Sequence, residues 1–109
     1  MTDYIPMLDY IARNNNVPLE VARLAIKWIS KGNIYYVDNQ DFPCRFGLFG
    51  VTLEEANKVG VPAETKYHLF DVDTNLKVGC RLLSRYMDSV KDGSNWWDVL
   101  DQWLAKERA

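Results

Sequence analysis

Apolar residues recur at helical spacing in five segments of this chain, with capping residues or glycines at the segment ends. In the second segment, Val21, Leu24, Ala25, Trp28 and Ile29 follow the i, i+3, i+4, i+7, i+8 pattern of one helix face. The chain is therefore predicted to form five helices. They cover about residues 4–14, 18–30, 52–60, 73–91 and 95–104.

Three of these helices carry clear start or stop signals. The stretch Thr52–Glu55 fits a capping box, in which a hydroxyl residue at the N-cap is followed three positions later by Glu. Asp73 or Thr74 is expected to cap the fourth helix. Gly32 is expected to end the second helix, because glycine readily adopts the left-handed conformation found there.

Aromatic residues are plentiful, with four Trp, six Tyr and four Phe in 109 residues. Much of this mass is expected to build the core, because large rings bury the most apolar surface. On the helix faces, we expect Trp28, Ile29, Trp96 and Leu100 to be core residues.

Two segments lack a helical period and are predicted to be loops, over residues 33–50 and 61–72. Loops as long as the first are usually functional or disordered, and its aromatic content favours an ordered one. Within it, Ile34–Val37 is predicted to form a short strand. The fold class is therefore all-α with at most a small β element, in a single domain over residues 1–109.

The charge balance argues against a nucleic-acid partner. The formal net charge is −2, and the 13 Lys and Arg residues are scattered along the chain, whereas phosphate binding favours a basic stripe. No apolar run is long enough to span a membrane, and no signal peptide precedes the first helix. We therefore expect a protein that is made and kept in the cytoplasm, with association with a virion or release without a cleaved signal as the alternatives.

The residue types that bind metals are sparse. Cys44 and Cys80 lie 36 positions apart, which matches no zinc motif, so we expect free thiols. His68 is the one histidine, with no Cys or second His nearby, and is expected to be a surface or half-buried loop residue. No metal and no cofactor are predicted.

Four segments, in this order, resemble motifs of the lytic transglycosylase family, in its soluble SLT-type form within the lysozyme superfamily. The first resembles the family's lead-in helix, the second its Gly-Leu-Met-Gln motif, the third its Leu-Phe-Asp-x-x-x-Asn motif and the fourth its Trp-led last helix. They are residues 17–26, 47–52, 69–79 and 96–103. The resemblance implies a lysozyme-like fold and a peptidoglycan substrate.

The same resemblance implies that the catalytic residues are replaced. The family's catalytic Glu aligns with Ser30, and a serine hydroxyl cannot act as a general acid near neutral pH because its pKa is far too high. The family's Gln, Tyr and Asn positions align with Gly50, Trp103 and Leu104. Loss of a general acid typically slows catalysis by ~10²–10⁴-fold, so an inactive copy is expected.

An alternative is that the acid has moved to Asp38 or Asp41, in the loop after Ser30. A relocated acid would need an apolar pocket to raise its pKa, and Phe42, Phe46 and Phe49 are candidates to supply one. Shifting the alignment by a residue or two restores no acid, because no Glu or Asp lies between positions 20 and 38.

Aromatic side chains could also form the wall of a groove for sugar, or simply attach the long loop to the helices. The candidate substrate-binding residues are Tyr35, Tyr36, Phe49, Gly50 and Trp103. For Gly50, close packing is the competing interpretation.

Three functions follow from these observations. The first is a degenerate transglycosylase-like domain whose groove binds peptidoglycan glycan or a protein partner, and its small size suggests, by analogy, a phage or mobile-element origin. The second is an active peptidoglycan-cleaving enzyme with a relocated acid. The third is an accessory module that binds only protein.

Overall fold

A computed structural model describes residues 3–39, 44–90 and 95–108, and the side chains of the last helix as far as residue 105. Within these ranges the chain forms six helices and a two-stranded sheet. The helices are α1 (Ile5–Asn14), α2 (Leu19–Ser30), α3 (Leu53–Lys58), α4 (Lys66–Leu69), α5 (Val72–Ser89) and α6 (Trp96–Arg108). The strands are β1 (Val37–Asp38) and β2 (Arg45–Phe46). The mainly α-helical fold with a small β element is as predicted.

All five predicted helices are present, and α4 is a short additional helix inside the predicted second loop. The capping box at Thr52 is confirmed, since Oγ1 of Thr52 accepts from the N–H of Glu55 at 3.1 Å and Oε1 of Glu55 accepts from the N–H of Thr52 at 3.0 Å. The predicted cap of the long helix, Asp73 or Thr74, was wrong by two or three residues. Asp71 is the N-cap of α5, and its Oδ2 accepts from the N–H of Thr74 at 3.1 Å.

The predicted strand was correct in kind and displaced in position. The strands β1 and β2 pair antiparallel, with Val37 opposite Phe46 and Asp38 opposite Arg45. Beyond β2 the chain turns over residues 47–50, and Phe46 and Val51 exchange backbone hydrogen bonds of 2.9 and 3.0 Å across that turn. A two-residue ladder is too short to be stable alone, so the hairpin depends on the helices around it.

Helix α5 is the central element and packs against α1, α3, α4 and α6. Gly79 on α5 allows the ring of Phe49 to approach, because an added Cβ at residue 79 would overlap that ring. Among the predicted core residues, Ile29 and Leu100 are buried, and Trp96 is half-buried.

The prediction that Trp28 is a core residue was wrong, because its side chain is 71% exposed. The buried face of α2 includes Ala22 and Ile26, and it is therefore rotated away from the stripe that the sequence pattern indicated. Trp28 lies on the margin of that face, where a large ring reaches solvent.

The second helix ends in an unexpected way, with Lys31 in the left-handed conformation at φ +56°. Gly32, the predicted left-handed residue, follows at φ +80°.

Among the described helices, none combines the length and the hydropathy needed to span a bilayer.

Candidate functional site

Ser30, which the resemblance aligns with a catalytic Glu, is the last residue of α2 and is only 4% exposed. Its Oγ donates to the carbonyl oxygen of Ile26 at 3.1 Å and accepts from the N–H of Gly32 at 3.3 Å. Both bonds lie within the helix end, so the hydroxyl closes the C-terminal turn of α2. In this arrangement it supplies no acid and presents little surface to a ligand.

The turn over residues 47–50 is held by Asn75 of α5, which is almost fully buried. Oδ1 of Asn75 accepts from the N–H of Phe49 at 2.8 Å. Nδ2 donates to the carbonyl oxygens of Phe46 at 2.9 Å and of Leu69 at 2.7 Å. One side chain thus joins the hairpin turn, the end of α4 and the central helix. A buried amide whose hydrogen bonds are all made favours this one arrangement of the turn over alternatives.

Gly47 is required for this arrangement. An added Cβ at residue 47 would overlap Nδ2 of Asn75 and the carbonyl oxygen of Leu69, and the residue has φ +80°, which disfavours other amino acids. Asn75 is the Asn of the third motif, but no structural role was predicted for it. The signal that could have found it is the single amide residue on the apolar side of an otherwise amphipathic helix, beside Leu76 and Gly79.

Of the predicted groove residues, Tyr35 contacts an aromatic ring that was not assigned to the groove. Tyr35 is 67% exposed, and its ring centroid lies 5.9 Å from that of Phe70 at the end of α4. Phe70 in turn contacts Phe46 edge-to-face, with centroids 5.8 Å apart. Tyr36, the residue after Tyr35, is half-buried. We call Tyr35, Phe46 and Phe70 the aromatic cluster.

Three predicted groove residues lie elsewhere. Phe49 is completely buried against Gly79, and Gly50 is buried as well, so neither presents a wall to a ligand. Their placement in a groove is corrected to close packing, which was the competing interpretation for Gly50. Trp103 is also buried, and its edge borders a depression of about 280 Å³ that includes Leu82 and Tyr86 but no residue of the aromatic cluster.

The fallback acids are only partly placed by the structure. Asp38 is half-buried on β1, opposite Arg45 in the hairpin register. Arg45 Nη1 forms a 2.9 Å ion pair with Oε1 of Glu55 and donates to the carbonyl oxygen of Gly50 at 3.2 Å. Asp41 and its proposed neighbour Phe42 lie outside the described residues.

The remaining titratable residues are dispersed. Cys44 is half-buried and Cys80 buried, both as free thiols, and burial raises the pKa of the Cys80 thiol to about 12. His68 is exposed, and its Nδ1 accepts from the N–H of Glu64 at 2.9 Å. Within the described ranges, no group of three or more His, Cys, Asp or Glu residues is arranged to hold a metal ion.

Comparison with family models, with curated proteins and with solved structures gives no match to this chain. The structure itself establishes a mainly α-helical fold whose small hairpin is attached to the central helix through Asn75.

Proposed function

We propose that this chain is a lysozyme-like domain of the lytic transglycosylase type that binds peptidoglycan glycan and does not cleave it. The observation that carries the proposal is the state of Ser30, where a buried hydroxyl that is bonded to its own helix end occupies the position aligned with the general acid. The proposal rests on the motif resemblance for its family and on this geometry for its lack of activity.

The arrangement of the second and third motifs supports the proposal. The hairpin turn and the helix that begins at Val72 are far apart in sequence, yet Asn75 of that helix joins them through two hydrogen bonds, to Phe49 and Phe46. A family that retains both motifs would need such a contact to hold the turn in place. The contact therefore gives the motif order a physical reason that does not depend on catalysis.

The absence of cleavage follows from the chemistry that the reaction requires. Glycosidic bond cleavage needs a carboxylic acid that is held in an apolar environment and can protonate the leaving oxygen. Asp38 lies on a hairpin opposite Arg45, and Phe49, proposed to shield such an acid, is fully buried in the core. A relocated acid at Asp38 or Asp41 is the alternative that the activity assay below tests.

Binding of glycan is supported by the aromatic cluster. Tyr35 exposes most of its side chain five residues after Ser30, and its ring contacts Phe70, which in turn contacts Phe46. A pyranose ring has an apolar face of C–H groups, and a flat aromatic surface that is already held in place buries such a face with little loss of side-chain entropy.

Co-sedimentation with purified peptidoglycan tests the binding. The parent protein should sediment with the glycan, and Tyr35→Ala should weaken binding by about tenfold, the loss of one well-placed aromatic contact. Tyr10→Ala is the matched control, because Tyr10 is 69% exposed on α1 and should bind as the parent does. Equal retention by Tyr35→Ala and Tyr10→Ala would show that the cluster is not the binding surface.

Release of anhydro-muropeptides tests the activity. The parent should release none. Ser30→Glu asks whether the acid alone is missing, and Ser30→Ala controls for loss of the two Oγ hydrogen bonds. Product formation by the parent would overturn the proposal, and Asp38→Asn and Asp41→Asn would then identify the relocated acid.

A second candidate function is an accessory module that binds protein, and Trp28 favours it. A tryptophan that is 71% exposed is uncommon, and Trp is enriched at the centres of protein interfaces. If the parent fails to bind peptidoglycan, sedimentation velocity of the parent and of Trp28→Gln tests whether this surface mediates self-association.

A further inference from the structure

Three cations lie in line along α2 and at its end. Arg23 and Lys27 lie one turn apart on one face of α2, with about 6 Å of helix rise between them, and Lys31 follows as the C-cap residue. All three line a cavity of about 420 Å³ between the start of α1 and α2. Although Lys and Arg are scattered along the sequence, the fold places these three residues in the lining of one cavity.

Unlike most other cations whose side chains the structure describes, these three have no ion-pair or side-chain hydrogen-bond partner. Elsewhere in the described structure, Arg13, Arg45 and Lys77 form ion pairs with carboxylates, and Arg81 and Arg85 donate to backbone carbonyls. Among the described residues, no ion pair and no side-chain hydrogen bond involves Arg23, Lys27 or Lys31. Like charges four residues apart on a helix repel one another, so this row of cations does not by itself stabilise the fold.

The helix dipole accounts for only part of the row. Cations are favourable in the last turn of a helix, which explains Lys27 and Lys31. Arg23 lies near the middle of α2, where the dipole has little effect. A ligand with opposite charge would relieve the repulsion along the whole row.

The rest of the cavity is suited to holding such a ligand. Tyr4, Ile5 and Leu24 are half-buried and form an apolar part of the lining. Burial raises the pKa of the Tyr4 hydroxyl, while the positive charge of Arg23 acts in the opposite direction. The hydroxyl is therefore protonated at neutral pH and is available as a donor. Glu20, at one end of the lining, is the one carboxylate among these residues.

We propose that this cavity binds a small ligand that carries two or more anionic groups, phosphate or carboxylate, along Arg23, Lys27 and Lys31. A long polyanion such as a nucleic acid fits less well, because Glu20 closes one end of the row and the chain has a net charge of −2. The site is independent of the proposed glycan surface, since the two share no residue.

Titration monitored by amide chemical shifts of the full chain at low ionic strength tests the proposal. Inorganic tripolyphosphate and tricarballylate are the probes and distinguish phosphate from carboxylate recognition, and inorganic phosphate is the single-group control. One or both probes should bind more tightly than phosphate, with shifts concentrated around residues 4–5 and 27–32. Added salt should weaken binding, because exposed charges are screened.

Substitutions provide the matched comparison. Lys27→Gln should weaken binding of the preferred probe by about fivefold, and Lys27→Arg should retain it. Lys58→Gln is the control, since Lys58 is exposed, has no ion pair among the described residues and lies outside this cavity. Equal weakening by Lys27→Gln and Lys58→Gln, absence of binding at millimolar probe, or tighter binding of short single-stranded DNA would each overturn the proposal.

Discussion

The backbone N–H of Phe49 donates to Oδ1 of Asn75 at 2.8 Å, across 26 positions of the chain. This bond fixes the turn after the hairpin to the central helix, while the ring of Phe49 fills the space that Gly79 leaves on the same helix. Backbone and side chain of one residue are therefore held by two residues of α5, one turn apart. The hairpin and the core cannot be altered independently at this point.

We expect Asn75→Asp to destabilise the fold by about 3 kcal/mol or more, because a carboxylate would face the carbonyl oxygens of Phe46 and Leu69 where Nδ2 now donates. Urea denaturation measures the change. Asn57→Asp is the control, since Asn57 is exposed on α3 and should unfold within about 0.5 kcal/mol of the parent. Similar stability of both variants would contradict the buried network.

Gly79→Ala is expected to destabilise by about 1–3 kcal/mol, although alanine favours helix, because its methyl group would overlap the buried ring of Phe49. The double variant with Phe49→Leu should recover part of this loss, because the smaller side chain leaves room for the methyl group. Denaturation of the two single variants and the double variant completes the cycle. Strict additivity would show that the two residues do not compete for space.

The helices were predictable because their signals are local. The capping box at Thr52 requires only four neighbouring residues and is present in the structure. The apolar period of α2 correctly predicted a helix, although the buried face of that helix is rotated from the predicted stripe. The short helix α4 was missed, because four residues are too few to show a period. The cap at Asp71 was missed for a related reason, since several polar residues near the start of α5 can each act as a cap.

The candidate site was less predictable, because it depends on contacts between distant segments. Phe49 and Trp103 are as suitable for a groove wall as for a core, and their burial depends on how the hairpin and α6 pack. Local sequence also could not show that Tyr35 meets Phe70, 35 positions later in the chain. The residues around a loop aromatic do not indicate which distant ring that aromatic will contact.

Trp28 and Ile29 are adjacent in sequence and should respond oppositely to substitution. Trp28→Gln should change the free energy of unfolding by no more than about 0.5 kcal/mol, because the ring is mostly in solvent. Ile29→Ala should destabilise by about 2–4 kcal/mol, because it leaves a cavity in the core. A large loss of stability in Trp28→Gln, measured by urea denaturation, would place its ring in the core after all.

The two thiols should react at very different rates. Burial raises the pKa of Cys80 to about 12, so at pH 8 almost none of it is thiolate, and the residue is also shielded from reagent. A disulfide reagent should therefore label one thiol per folded chain promptly, at Cys44, and the second only on unfolding. Prompt reaction of both in native buffer would contradict the burial of Cys80.

The raised pKa of Cys80 also makes the stability of the fold depend on pH in the alkaline range. The folded state holds the Cys80 proton more tightly than the unfolded chain, whose thiol has its ordinary pKa of about 9.0. This contribution is therefore fully present below pH 9 and is lost progressively between pH 9 and about 12. Urea midpoints of the parent and of Cys80→Ala are compared over this pH window, because tyrosine and lysine titrate in both proteins and only the parent has the thiol. If the two midpoints change equally with pH, the raised pKa of Cys80 is contradicted.

The bonds made by Asn75 also lead to an expectation about folding. They join residues 26 and 29 positions apart on one side and six on the other, so we expect the turn over residues 47–50 to make these bonds only after α5 has formed and approached it. A two-residue ladder contributes little before that time. The amide proton of Phe49 should consequently exchange with solvent only through global unfolding, and its exchange rate would report the stability of the entire domain.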